Sequence, residues 1–92
     1  MNNYLIFETK EFQKKFSKIP ETEKSFFHKK LKHYIYPQLR SEPHYGNNIK
    51  KLIDYNPETW RYRIGKYRLF YVINENEKTI YILTINLRKD AY

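Results

Sequence analysis

No cysteine occurs among the 92 residues, which excludes a disulfide framework, thiolate chemistry and Cys-based zinc binding. Only two glycines are present, so a glycine inside a patterned stretch is informative about a turn. No apolar run approaches the ~20 residues that a membrane-spanning helix needs, and the N-terminus lacks the apolar stretch of a secretory signal. The expectation is a cytoplasmic chain with no membrane contact. Acidic residues are scarce, with 10 Asp and Glu against 18 Lys and Arg and a formal charge of +8. That excess favours a polyanionic partner: nucleic acid, an anionic membrane or an acidic protein.

What the chain has in quantity is aromatic surface. Ten tyrosines and six phenylalanines bury roughly 150–250 Å² each when packed, enough to give a short chain a core. The length and the absence of linkers or repeats predict one domain over residues 1–92.

Tyr4–Phe7 (YLIF) reads as a first strand. Thr9 is a suitable N-cap, followed by Phe12, Phe16 and Ile19 at helical spacing, with Pro20 as punctuation. A second, longer helix is expected from about Glu21 to Arg40, with Phe27, Leu31, Tyr34, Ile35 and Leu39 on one apolar face. After the polar loop SEPHYGNN come four strand-like runs: NIKKLID, TWRYRI, YRLFYVI and TIYILTINL. The order β-α-α-β-β-β groups helices before strands. It predicts an α+β fold with an N-terminal strand and an antiparallel two-helix hairpin packed on a small, mostly antiparallel sheet.

Residues 60–71, WRYRIGKYRLFY, pose the functional question. Gly65-Lys66 between two alternating runs signals a two-residue hairpin, and Gly at the first turn position favours type II′. The register then pairs Ile64 with Tyr67, Arg63 with Arg68, Tyr62 with Leu69, Arg61 with Phe70 and Trp60 with Tyr71. One face carries Trp60, Tyr62, Ile64, Tyr67, Leu69 and Tyr71, a layer for the helices. The other carries Arg61, Arg63, Arg68 and Phe70. Two opposed arginines repel by roughly 0.2–1 kcal/mol, and no acid lies within the stretch. Either Glu8, Asp54 or Asp90 reaches them from elsewhere, or the face binds an anion. Arginine's planar fork suits phosphate oxygens, and nearby rings suit base stacking. The flanking basic residues Lys50, Lys51, Lys66 and Lys89 are read as nucleic-acid contacts.

Other residue types suggest no second chemistry. His28 and His33 are five apart on a predicted helix, off the spacing that joins two metal ligands, and with His44 they make no metal set. Asp54, Glu58, Glu75 and Glu77 fall in turns. The helix lysines, among them Lys14, Lys29, Lys30 and Lys32, form either a solvated face or phosphate contacts.

The stretch WRYRIGKYRLFYVI, followed by an acidic loop, an apolar strand and the terminal LRKDAY, resembles the RelE/ParE superfamily of toxins from bacterial type II toxin–antitoxin modules. The resemblance covers nearly the whole chain. It implies a small antiparallel sheet with two helices on one face, no metal and no cofactor. For RelE-like members it implies ribosome-associated mRNA cleavage, in which a 2′-hydroxyl attacks the neighbouring phosphate. By that resemblance Arg61 and Arg63 match the basic positions before the turn, and Arg68 matches the Arg of the Y-R-x-x-Y strand. Arg88 and Tyr92 match the terminal Arg and Tyr, the latter orienting or deprotonating the hydroxyl. Leu87 stands where family members often carry His, and Arg replaces Lys at the pre-turn positions. The implied partners are mRNA, the ribosome and an acidic, partly disordered antitoxin. Two alternatives belong to other classes: a ParE-like inhibitor of DNA gyrase, and a non-catalytic module that binds nucleic acid or antitoxin.

Overall fold

The computed structural model describes residues 3–87. Its elements are β1 (Leu5–Glu8), α1 (Lys10–Ser17), α2 (Glu21–Lys30), a π-helical turn (Leu31–Ile35), α3 (Tyr36–Ser41), β2 (Ile49–Lys51), β3 (Trp60–Ile64), β4 (Tyr67–Asn74) and β5 (Thr79–Leu87). The strands form one sheet in the order β1-β5-β4-β3-β2. All pairings are antiparallel except that of β1 with β5. This is the α+β arrangement expected from the order of the elements, with the helices packed on one face of the sheet.

Thr9 joins the first helix to the sheet. Its Oγ1 caps α1 by accepting from the Phe12 N–H, and it also lies 2.8 Å from the Ile82 carbonyl, to which it donates. The anchor sits at the irregularity in β5, where pairing shifts between Phe70 and Tyr71. Beyond Pro20 the chain turns into α2, with the Pro20 carbonyl accepting from the Glu23 and Lys24 N–H groups.

The second helical arm is continuous but not uniform. Phe27, Leu31, Ile35 and Leu39 are buried, four residues apart. In an unbroken α-helix that spacing drifts about 40° per step, or about 120° from Phe27 to Leu39. The π-helical turn, where the Tyr36 N–H reaches back five residues to the Leu31 carbonyl, absorbs one residue and takes back about 100° of the drift. All four side chains therefore stay on the sheet. The same phase change corrects the expected stripe: Tyr34 is 68% exposed and lies on the outer side of the arm.

The core holds Phe12, Leu31, Ile35, Leu39, Leu69, Tyr71, Ile80 and Ile82 at its centre. Around it, tyrosines place a polar tip at the seam between helices and sheet, and each finds an acceptor. Tyr36 donates to Glu8 at 2.6 Å, Tyr67 to Glu23 at 2.7 Å, Tyr62 to Gln38 at 2.7 Å, Tyr4 to Glu75 at 2.8 Å and Tyr71 to the Pro43 carbonyl at 2.7 Å. Glu75 and Glu42 also lie 2.9 Å from the two ring nitrogens of His44, tying the loop after α3 to the β4–β5 turn.

Two measurements check this packing. Leu69→Ala, at the middle of the sheet, is expected to cost about 2–5 kcal/mol in urea unfolding. Burial, reinforced by the bond to Glu23, pushes the Tyr67 hydroxyl up to about 12, against about 10 in an unfolded chain. A raised value means stability that is fully present below pH 10 and is lost as pH rises toward 12. The fold should therefore weaken across that window, and Tyr67→Phe should flatten the loss.

Candidate functional site: the arginine face of the sheet

The hairpin 60–71 has the register that its alternation requires. Ile64 pairs with Tyr67, Arg63 with Arg68, Tyr62 with Leu69, Arg61 with Phe70 and Trp60 with Tyr71. Gly65 has φ +55°, a left-handed conformation that costs other residues about 1–2 kcal/mol and glycine little. Tyr62, Ile64, Tyr67, Leu69 and Tyr71 are buried beneath the helices. Strand alternation sends Arg61, Arg63, Arg68 and Phe70 to the opposite face.

That face is organised in rows across the sheet. One row runs Lys50, Arg61, Phe70 and Thr84; the next runs Arg63, Arg68 and Asn86. Arg68 is 9% exposed, Arg61 half-buried and Arg63 exposed. The three guanidinium groups thus sit at graded depths, from the sheet floor to solvent. Toward β1 the same face becomes apolar: Val72 and Tyr81 pair, and Phe7 packs edge-on against Tyr81 at 5.5 Å.

Two of the three carboxylates offered as ordinary partners for these arginines are placed elsewhere. Glu8 lies opposite Ile82 in register and accepts from Tyr36 on the helix side. Asp54 sits at a left-handed position (φ +64°) in the β2–β3 loop, and Asp90 is outside the described residues. No ion pair to Arg63 occurs among the described residues.

The other sequence-predicted contacts divide. Lys50 joins the arginine face. Lys51 alternates to the other side, beside Trp60, and pairs with Glu58 at 3.0 Å. Lys66, in the turn, leans toward the helices, with its Nζ 3.4 Å from Glu23. The Tyr67 hydroxyl, and after it Lys66, hold Glu23 below the usual carboxylate range. Leu87 lies opposite Tyr67 and packs against the core. Arg88, Lys89 and Tyr92 lie outside the described residues. Asn86, next to Arg68 in its row, was not singled out from the sequence; its partner is Lys15 of α1, whose Nζ donates to Asn86 Oδ1 at 2.8 Å. Only the long-range pairing of β5 with β4 reveals it.

Chemically, the face can grip a tetrahedral anion between forked, permanently charged donors with an aromatic ring alongside. Among the described residues no group of three His, Asp or Glu is placed to hold a metal ion.

A five-stranded sheet with a helical arm on one face and a basic row on the other defines the class, a small RelE-like toxin fold. The family model of the ParE toxin of type II toxin–antitoxin systems, parDE, matches residues 6–92, and the chain belongs to that family. Solved structures agree. The archaeal RelE–RelB complex from Pyrococcus horikoshii OT3 is 25% identical, with 96% of this chain and 97% of that one covered at a TM-score of 0.70. The toxin–antitoxin complex RelBE2 of Mycobacterium tuberculosis is also 25% identical, with 96% and 94% covered at 0.74. The RelB–RelE complex of Methanococcus jannaschii is 25% identical, with 94% of each chain covered at 0.67. No curated protein matches the sequence. No described helix is long and apolar enough to cross a membrane.

Opposed like charges give a test of what Arg63 is for. Arg63→Gln removes a repulsion of roughly 0.2–1 kcal/mol. Its urea midpoint should stay level or rise, while affinity for a phosphate-bearing ligand falls. A loss of more than about 1 kcal/mol would instead give Arg63 a structural role.

Proposed function

We propose that this type II toxin is a metal-independent, ribosome-associated mRNA endonuclease that inhibits translation in the cytoplasm. The observation that carries the reading is Arg63 directly across from Arg68 on the sheet face away from the helices, with Arg61 and Lys50 in the adjacent row. In the proposed reaction the 2′-hydroxyl oxygen attacks the neighbouring phosphorus and the P–O5′ bond breaks. The products are a 2′,3′-cyclic phosphate and a 5′-hydroxyl. One proton leaves the 2′-oxygen and one reaches the departing 5′-oxygen. Arg63 and Arg68 hold the non-bridging oxygens as charge builds on the phosphorane, which needs preorganised donors more than a base. By the family resemblance Arg88 helps to stabilise this charge, and Tyr92 orients or deprotonates the attacking hydroxyl. Phe70 offers a ring beside the phosphate row for a flanking base.

The solved relatives at 25% identity are complexes of RelE with RelB, which supports an antitoxin partner here. An acidic, partly disordered antitoxin would neutralise the arginine rows as it orders on them.

One observation favours a second reading. The matching family model is that of ParE toxins, so the same basic surface would serve a gyrase-directed inhibitor that cuts no RNA. Mapped RNA 5′ ends after induction separate the two. The endonuclease reading expects new 5′-hydroxyl ends within coding regions and no DNA breaks. Arg68→Ala or Arg63→Ala, with far-UV circular dichroism unchanged, should lower cleavage by about 10²–10³-fold. Intact mRNA with DNA breaks and an SOS response would replace it with the gyrase reading.

A further inference from the structure

The π-helical turn has a consequence on the outer side of the arm. It holds Phe27, Leu31, Ile35 and Leu39 inward, and so keeps Phe26, Lys30 and Tyr34 aligned outward. The Lys30 ammonium lies 5.7 Å from the Phe26 ring centre and 5.8 Å from the Tyr34 ring centre. Phe26 is 59% exposed, and Tyr34 is similarly open. Neither ring is among the buried core residues, although Phe26 meets Phe27 edge-on at 5.7 Å, and Lys29 and His33 flank them, both exposed. From Ser25 to Ser41 the arm has no acidic residue and carries Lys29, Lys30, Lys32 and Arg40. The acids that flank it, Glu21, Glu23 and Glu42, are engaged by Lys24, by Tyr67 with Lys66, and by His44.

Two open rings bridged by an ammonium suit one kind of ligand better than others. An apolar protein surface would have to strip water from Lys30 to reach the rings, a costly step without a counter-charge. Unpaired nucleotides bring both halves of the match: bases to stack on Phe26 and Tyr34, and phosphates to pair with Lys29 and Lys30. We propose that the Phe26–Lys30–Tyr34 strip is a second single-stranded RNA-binding surface. It faces away from the sheet, on the side opposite the arginine rows. The protein is then able to hold two RNA segments at once, and this surface requires no cleavage chemistry of its own.

The test uses the full chain and a fluorescent, non-cleavable 2′-O-methyl oligouridine, with affinity read by anisotropy across a salt series. Because both rings are exposed, Phe26→Ala and Tyr34→Ala should leave the melting temperature unchanged. Each is expected to weaken binding at least about fivefold. Lys30→Gln should reduce the salt slope by about 0.7. The ring substitutions should weaken one binding phase and Arg63→Ala the other, each leaving its counterpart unchanged, as independent surfaces require. Unchanged affinity in the double ring variant would overturn the proposal. So would a loss seen only with an acidic peptide, such as oligoglutamate, which would make the strip a protein-docking surface. Because the oligonucleotide cannot be cut, the outcome does not depend on whether the toxin is a nuclease.

Discussion

A tyrosine-built core must find an acceptor for every hydroxyl it draws toward the interior, and that constraint sets the charge layout of the whole molecule. Burying a phenol without a partner costs on the order of 1–3 kcal/mol. Tyr4, Tyr36 and Tyr67 meet the requirement with Glu75, Glu8 and Glu23. Three of the ten carboxylates in a chain of charge +8 are thereby drawn to the seam between helices and sheet. Glu75 and Glu42 are further occupied by His44. The sheet face that points away from the helices keeps its arginines in rows without a carboxylate from Glu8 or Glu23. Core packing and site electrostatics are thus two results of one set of hydrogen bonds.

Seen this way, the repulsion between Arg63 and Arg68 is a modest local cost carried by a strongly held scaffold. Leu69, next to Arg68 in sequence, and Tyr71 are fully buried and fix β4, and the Gly65 turn fixes its partner. An anion that settles between them replaces repulsion with two charge-assisted contacts. The acidic antitoxin proposed as partner and the phosphodiester proposed as substrate would exploit the same face, so the antitoxin would inhibit by simple occupation.

The sequence made the hairpin legible to the level of residue pairs, because alternation around Gly65-Lys66 leaves only one register that buries Tyr62, Leu69 and Tyr71 together. Thr9 as a cap was equally readable, since a β-hydroxyl before an amphipathic run has a local role. Other features depended on distant contacts. The parallel pairing of β1 with β5 spans most of the chain, and no local pattern encodes it. Tyr34 was expected inside because helical spacing assumes 3.6 residues per turn, and the π-helical turn breaks that assumption. Lys51 and Lys66 looked like site residues by proximity in sequence. Strand parity turns the first toward Glu58 and turn geometry directs the second toward Glu23.

The central claim is that the arginine rows of the sheet face away from the helices bind a phosphodiester. The most direct measurement follows the side-chain Nε–H resonances of the arginines by ¹⁵N NMR during titration with a 2′-O-methyl dinucleotide. The account expects saturable shifts at Arg61, Arg63 and Arg68 with one common affinity that weakens with salt. Unmoved signals at all three, with shifts confined to residues on the helical side, would contradict it.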